Sequence, residues 1–317
     1  METETITTSF AKDVLEGLTT NPKRLSSKYF YDDIGSRIFQ EIMEMPEYYL
    51  TNSELEILQF QPDDIIDAIK NKRGFDIVEL GAGDGYKTKE LLRHIVAQKI
   101  DCTYYPVDIS QKAMDLLEED LNESIPALKI KPLVGDYFEV LGSLKHGDKP
   151  ALFLFLGSNI GNYEKNDAVD LLKMFGQYMQ PGDHLLIGMD LKKNPRTILE
   201  AYDDKHGITR LFNLNLLRRM NRELGANFDL DKFDFYAYYN PKNGQLRSML
   251  VSLENQSIYF RALEKEIQFE ANELIWTELS QKFNLDDIKD LANKSGFKFK
   301  MNFYDQKKYF ADSLWIK

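Results

Sequence analysis

Val78-Glu79-Leu80-Gly81-Ala82-Gly83-Asp84-Gly85 decides how this 317-residue chain is read. An apolar run ends in three glycines at alternate positions, and a helix-length segment carrying Lys87 and Thr88 follows. Glycine permits tight turning and close backbone approach to a ligand. The stretch therefore predicts a strand, a ligand-binding turn and a helix. The spacing is G-x-G-x-G, whereas the turn that cradles a pyrophosphate is spaced G-x-G-x-x-G. Glu79 stands just before the turn, where a carboxylate would repel phosphates and suit a cationic group. Alone, the turn leaves open which nucleotide-like ligand it takes.

The surroundings narrow the choice. Between about residues 57 and 194, apolar runs at Phe75 to Leu80, Thr103 to Val107, Lys129 to Val134, Ala151 to Leu156 and His184 to Met189 predict strands. Amphipathic segments at Lys87 to Gln98, Ser110 to Asn122 and Asn166 to Tyr178 predict the helices between them. Alternation of this kind implies a parallel sheet with helices on both faces. Pro181-Gly182-Asp183 is a turn before the fifth strand. A helix from Asp286 to Lys294 then precedes two strands, Phe297 to Tyr304 and Tyr309 to Ile316. This is the plan of class I methyltransferases that use S-adenosylmethionine (SAM): an α/β, Rossmann-like, mostly parallel seven-stranded sheet with a C-terminal antiparallel hairpin. A nicotinamide-dependent oxidoreductase, the rival from another class, would more often continue with a parallel strand.

Residues 1–56 and 195–280 fall outside that plan. The second stretch has a helical part, Phe212 to Leu224, and an alternating part, Phe233 to Phe269. The expectation is that the two pack as a smaller α+β substrate-binding domain capping the mouth of the sheet. The SAM-binding domain would then comprise 57–194 with 281–317.

Two further acids suit SAM. Asp108 ends the second strand, where a carboxylate can accept from both ribose hydroxyls. Asp136 ends the third, where it can bind the adenine amino group while Tyr137 packs on the ring. After the fourth strand comes Phe155-Leu156-Gly157-Ser158-Asn159-Ile160-Gly161-Asn162-Tyr163. An Asn there can hold an amine by its carbonyl oxygen, or cap the next helix.

Composition limits the partners. Lys and Arg number 40 against 51 Asp and Glu, a net charge of −11. Neutralising nucleic-acid phosphates needs clustered cations, so a small-molecule or protein substrate is expected, and a domain closing over the sheet favours the small molecule. Cys102 is the single cysteine, and His94, His146, His184 and His206 are scattered, so no metal site is expected. The start, METETITTSFAKDVLEGLTT, has no basic stretch followed by an apolar one, and no apolar run approaches about 18 residues. The expectation is a cytoplasmic monomer with no membrane or nucleic-acid partner.

The chain resembles the histidine-specific N-alpha-methyltransferases of ergothioneine biosynthesis along nearly its whole length. The resemblance is carried by Lys28-Tyr29-Phe30-Tyr31-Asp32-Asp33-Ile34-Gly35-Ser36, Pro46-Glu47-Tyr48-Tyr49-Leu50-Thr51, the glycine turn and Phe155 to Asn162. It continues through Ala201-Tyr202-Asp203-Asp204, Phe212-Asn213, Asn221-Arg222-Glu223-Leu224 and Thr277-Glu278-Leu279-Ser280-Gln281-Lys282-Phe283. It implies transfer of three methyl groups from SAM to the alpha-amine of L-histidine, giving hercynine. By position it implies substrate contacts at Tyr31, Tyr49, Asn162, Tyr202, Glu278 and Ser280. Cofactor contacts would fall on Gly81, Lys87, Asp108, Asp136 and Tyr137, and the glycine turn adds Glu79 and Gly83.

The residue chemistry agrees with those roles. Glu278 and Ser280 are two apart in an alternating stretch, so they share a strand face. A carboxylate and a hydroxyl there suit the two imidazole nitrogens. Asn162 would hold the amine in line with the sulfonium methyl, and the Tyr31 hydroxyl or water would take its proton. The resemblance departs at Leu246-Arg247-Ser248-Met249-Leu250, where relatives carry a Met at the position that falls on Ser248. Either the register slips by one residue or the pocket is altered. Another aromatic amino acid or amine, or SAM binding without catalysis, are the alternatives.

Overall fold

The structure is a computed structural model and describes residues 8–69, 74–144 and 149–317; His146 lies outside them. Two compact units divide the chain. One comprises Met1–Tyr49 and Lys193–Ser280, the other Leu50–Lys192 and Gln281–Lys317. Among the described residues no helix is long and apolar enough to cross a membrane.

The second unit is built on one large sheet. Its strands lie in the order Lys298–Tyr304, Phe310–Ile316, His184–Asp190, Ala151–Phe155, Asp76–Leu80, Thr103–Asp108, Lys129–Ile130. The strands from residue 76 to residue 190 pair in parallel, as in Val78 with Tyr105 and with Phe153. Phe310–Ile316 runs antiparallel to both neighbours, pairing Asp312 with Gly188 on one side and with Phe303 on the other. Asp76–Leu80 and Ala151–Phe155 are wholly buried, because helices cover both faces of such a sheet. Phe153, Phe155, Phe175, Ile187 and Trp315 centre the core.

One expected strand is divided. Lys129 to Val134 forms two short pieces, Lys129–Ile130 and Leu133–Val134, both paired with Thr103–Asp108. Pro132 lies in the gap and has no N–H to give a ladder. The sheet thus has eight strands in seven places. The expected helices appear as Thr88–Ala97, Gln111–Ser124 and Lys165–Tyr178. The Asn284 side chain accepts from Asp287 N at 2.8 Å, and Asp287 accepts from Asn284 N at 3.0 Å. This capping box starts the next helix at Leu285.

The first unit has a four-stranded sheet in the order Lys23–Arg24, Leu274–Gln281, Gln245–Ser252, Phe233–Asn240. Gln256–Phe260 and Lys265–Phe269 form a separate hairpin. Its core joins Phe10, Phe30, Phe212, Leu217, Phe233 and Ile275, from helices Ser9–Thr19 and Ile208–Leu224 and from the sheet.

Candidate active site

In the second unit the glycine turn follows the Asp76–Leu80 strand. Gly81, Gly83 and Gly85 have φ of +76°, +55° and +63°, a region closed to most side chains. At Gly81 an added Cβ would lie 2.7 Å from the Tyr137 hydroxyl, so Tyr137 leans over the turn. At Gly83 nothing lies within 4 Å, leaving that backbone open to a ligand. Asp108 sits beside it, accepting from Gly83 N at 3.3 Å and Ser110 N at 3.0 Å. Burial, with Asp108 next, pushes the Tyr137 hydroxyl up to about 12. Asp136 is exposed, and its carboxylate accepts from Phe138 N at 3.0 Å as the cap of helix Tyr137–Ser143.

An open backbone at Gly83, a carboxylate at the end of the next strand and an aromatic ring over the turn suit the ribose and adenine of SAM. Asp108, Asp136 and Tyr137 are placed where they could hold that half.

Glu79 is turned inward. It accepts from Thr88 Oγ1 at 2.6 Å and from the Tyr104 hydroxyl, and it is 4% exposed. Burial pushes its carboxyl up to about 7, against the two donors. Lys87 pairs with Glu54, a residue that sequence reasoning passed over. Glu54 also accepts from Gly157 N, at 2.7 Å and 3.0 Å to its two oxygens. Its only sequence signal is an acid among the buried positions of helix Tyr49–Phe60.

Asn162 ends a short 3-10 helix, Asn159–Asn162, and is exposed. It does not cap helix Lys165–Tyr178, because Glu164 stands at that position. The loop is held by Ser158, whose φ is +56° and whose Oγ accepts from Asp190 N at 3.0 Å. Asp190 in turn pairs with Lys282 at 2.6 Å, both wholly buried.

In the first unit four expected residues come together. The Tyr202 hydroxyl lies 2.9 Å from Ser280 Oγ. The Tyr202 ring is 6.1 Å from Tyr48, Tyr48 is 6.2 Å from Phe39, and Phe39 is 5.3 Å from Tyr31. Tyr31 keeps 48% of its surface open, yet the protein packed round its hydroxyl raises the pKa. Burial is the largest cause, followed by the charge of Glu278 and then by Tyr202. Glu278 and Ser280 both lie on Leu274–Gln281, with Glu278 partly exposed.

Asp32 explains why Tyr31 stands where it does. Its carboxylate accepts from Gly35 N at 2.7 Å, Asn215 Nδ2 at 2.8 Å and Arg222 at 2.6 Å, locking the chain just after the tyrosine. Gly35 lets Phe30 O approach to 1.7 Å from where a Cβ would be. Tyr49 accepts from Lys193 Nζ at 2.7 Å, and the ammonium also lies 4.2 Å from the ring centre.

Ser248 is wholly buried and pairs with Ala237; Met249 pairs with Tyr236 and so takes the other face of those two strands. The Ser248 carbonyl accepts at 2.9 Å from the Oγ1 of Thr277, the residue that precedes Glu278. Its hydroxyl has no hydrogen-bond partner among the described residues.

The chain is similar to a protein named histidine N-alpha-methyltransferase from Mycolicibacterium smegmatis, at 37% identity over 278 residues, 87% of this chain and 85% of that one. A protein of the same name from Mycobacterium tuberculosis is 35% identical over 272 residues, 86% of this chain and 84% of the other. A 4-dimethylallyltryptophan N-methyltransferase from Penicillium roqueforti is 25% identical over 301 residues, 91% and 88% of the two chains. The family described as histidine-specific methyltransferase, SAM-dependent, matches residues 10–317, and this chain belongs to it.

Proposed function

We propose that this enzyme transfers three methyl groups in succession from SAM to the alpha-amine of L-histidine, forming hercynine. The observation that carries the reading is the gathering of Tyr31, Tyr202 and Ser280 with Glu278 on one unit. Two relatives named histidine N-alpha-methyltransferase, at 37% and 35% identity, support it.

Glu278 and Ser280 present a carboxylate and a hydroxyl to the imidazole nitrogens. Tyr49, Tyr202 and Ser248 complete the substrate contacts. Gly81, Gly83, Lys87, Asp108, Asp136 and Tyr137 hold SAM, which supplies an electrophilic methyl group when bound. Glu79 fixes the first turn of the following helix through Thr88.

An ammonium has no lone pair, so the amine must lose its proton before each transfer. Asn162 orients the neutral amine through its side-chain carbonyl. A Tyr31 hydroxyl with a raised pKa keeps its proton at neutral pH. It therefore hands protons on as a hydrogen-bonding group rather than as a phenolate. Positioning supplies most of the acceleration. The ring faces tolerate the growing methylammonium.

The enzyme acts in the cytoplasm as a monomer on a small molecule, without nucleic acid; its net charge of −11 disfavours a polyanionic partner. The test is SAM consumption with mass spectrometry against the twenty amino acids, histamine and tryptamine. Histidine heavier by three methyl groups is the expected product. SAM binding with turnover of a tryptophan-like amine alone would overturn the substrate.

A further inference from the structure

Behind the glycine turn of the second unit lies a cluster that the reaction as described does not use. Glu54 is wholly buried on helix Tyr49–Phe60 and pairs with Lys87. Its carboxylate rests on Gly188, where an added Cβ would lie only 2.1 Å from Glu54 Oε1. Asp312 is the register partner of Gly188 on the neighbouring antiparallel strand. Residues directly opposite share a face, with Cβ positions about 4.5–5.5 Å apart. The Asp312 side chain therefore points to the same place as Glu54. It is wholly buried, and neither of its oxygens has a hydrogen-bond partner among the described residues.

Two buried carboxyls here face one ammonium, that of Lys87. Among the described residues Glu79, on the strand before the glycine turn, is a further charge near Lys87, and two hydroxyls already hold it. A buried site of low dielectric accommodates one carboxylate against one ammonium, and a second only at high cost. A proton on Asp312 removes that cost and gives Asp312 a donor to aim at Glu54. Burial first, and the Glu54 charge second, favour that protonated form, while Lys87 opposes it.

We infer that Glu54 and Asp312 are positioning residues for SAM, a carboxyl pair sharing one proton that aims the Lys87 ammonium at the cofactor's carboxylate. This deepens the assignment of Lys87 to SAM and rests on it. The arrangement has two consequences. A second ionisation in the pair, as pH rises, puts an uncompensated negative charge beside an anionic ligand group and weakens SAM binding. Either acid can also serve alone, because Asp312 can surrender its proton and take over Lys87 when Glu54 is neutral.

The experiment is calorimetric SAM affinity from pH 6 to pH 9 in the full chain. It compares the wild type with Glu54→Gln, Asp312→Asn, the double variant and Lys87→Met, with melting curves to show that each is folded. Asp312→Asn is expected to bind as the wild type does at pH 6 and to weaken less at high pH, the remainder coming from Glu79, whose carboxyl is pushed up to about 7. Each single variant is expected to stay within about threefold of wild type at pH 6, and the double to lose about a hundredfold or more, beyond the roughly tenfold that additive losses would give. An unchanged pH profile in Asp312→Asn, or additive losses, would overturn the shared-proton pair. Should the double variant fail to fold, the pH profile of the single variant decides. Wild-type affinity in Lys87→Met would instead remove Lys87 from SAM, and the inference with it, while leaving the methyl transfer itself intact.

Discussion

The Tyr202 hydroxyl and the Ser280 hydroxyl lie 2.9 Å apart in the interior of the first unit. Tyr202 comes from the end of helix Pro195–Tyr202 and Ser280 from the end of strand Leu274–Gln281, so one hydrogen bond ties two elements beside Glu278. Ser280→Ala removes one hydroxyl of the pair. Losing such a bond costs roughly 1–3 kcal/mol. A fall in kcat/KM for histidine of about tenfold is expected, mostly in KM. Tyr202→Phe should cost nearly the same, and the double variant little more. Additive losses would show that the two hydroxyls act separately.

Asn162→Ala should cut turnover by about a hundredfold, on the scale of a lost positioning contact, and shift the SAM dissociation constant by less than about threefold. The residue is exposed at the end of its 3-10 helix and caps nothing, so the fold should hardly notice. Parallel losses of SAM binding and turnover would take the amine away from Asn162.

Lys282 and Asp190 form an ion pair at 2.6 Å with both side chains wholly buried. Removing one member leaves a buried charge without its counterpart, at about 3–5 kcal/mol. Lys282→Met should therefore unfold at clearly lower denaturant concentration. Adding Asp190→Leu should restore part of the loss. A single variant as stable as the wild type would mean that water reaches the pair.

Glu79 gives stability a pH dependence. Its carboxyl is pushed from 4.5 up to about 7 in the fold, chiefly by burial. The folded state therefore holds the proton more tightly than the unfolded chain does. The contribution is complete below pH 4.5 and is lost as pH rises towards 7. The loss is on the order of 3 kcal/mol at most. Urea unfolding at pH 5 and pH 8 should show a smaller difference in Glu79→Gln than in the wild type. Equal differences would show that Thr88 and Tyr104 keep Glu79 ionised throughout.

Gly188→Ala should lower thermal stability by about 1–3 kcal/mol. The new methyl would meet Glu54 Oε1 at 2.1 Å and Gly157 N at 3.1 Å, with Phe310 at 3.2 Å closing the other side. SAM binding should weaken with it. A neutral substitution would mean that Glu54 swings away freely.

Local pattern made the sheet legible. The strands from Phe75 to Met189 read as apolar runs, and three positive φ values at Gly81, Gly83 and Gly85 realise the glycine spacing. The division at Pro132 was also written in the chain, since proline cannot donate to a ladder, but a continuous apolar run concealed it. Tyr31, Tyr202, Glu278 and Ser280 were located by resemblance to a family; only the structure shows the Asp32 lock and the row of rings that relate them. Glu54, Gly188 and Asp312 were not legible, because each looks ordinary in its own element. Their meaning arises from strand register and helix packing between positions far apart in sequence. Asn162 read either as an amine ligand or as a helix cap, a physical ambiguity too, and of the two the structure sets aside the cap, which Glu164 occupies.

The place of the Phe310–Ile316 strand bears on how the protein is made. It follows every other strand of its sheet along the chain, yet it lies inside the sheet between Lys298–Tyr304 and His184–Asp190. While the chain is still on the ribosome, the His184–Asp190 strand has an open edge, and Glu54 has no Asp312 opposite Gly188. Such an edge is a template for stray pairing. The window for misassembly thus stays open until Phe310–Ile316 emerges, and a chaperone that covers sheet edges would matter most before that moment.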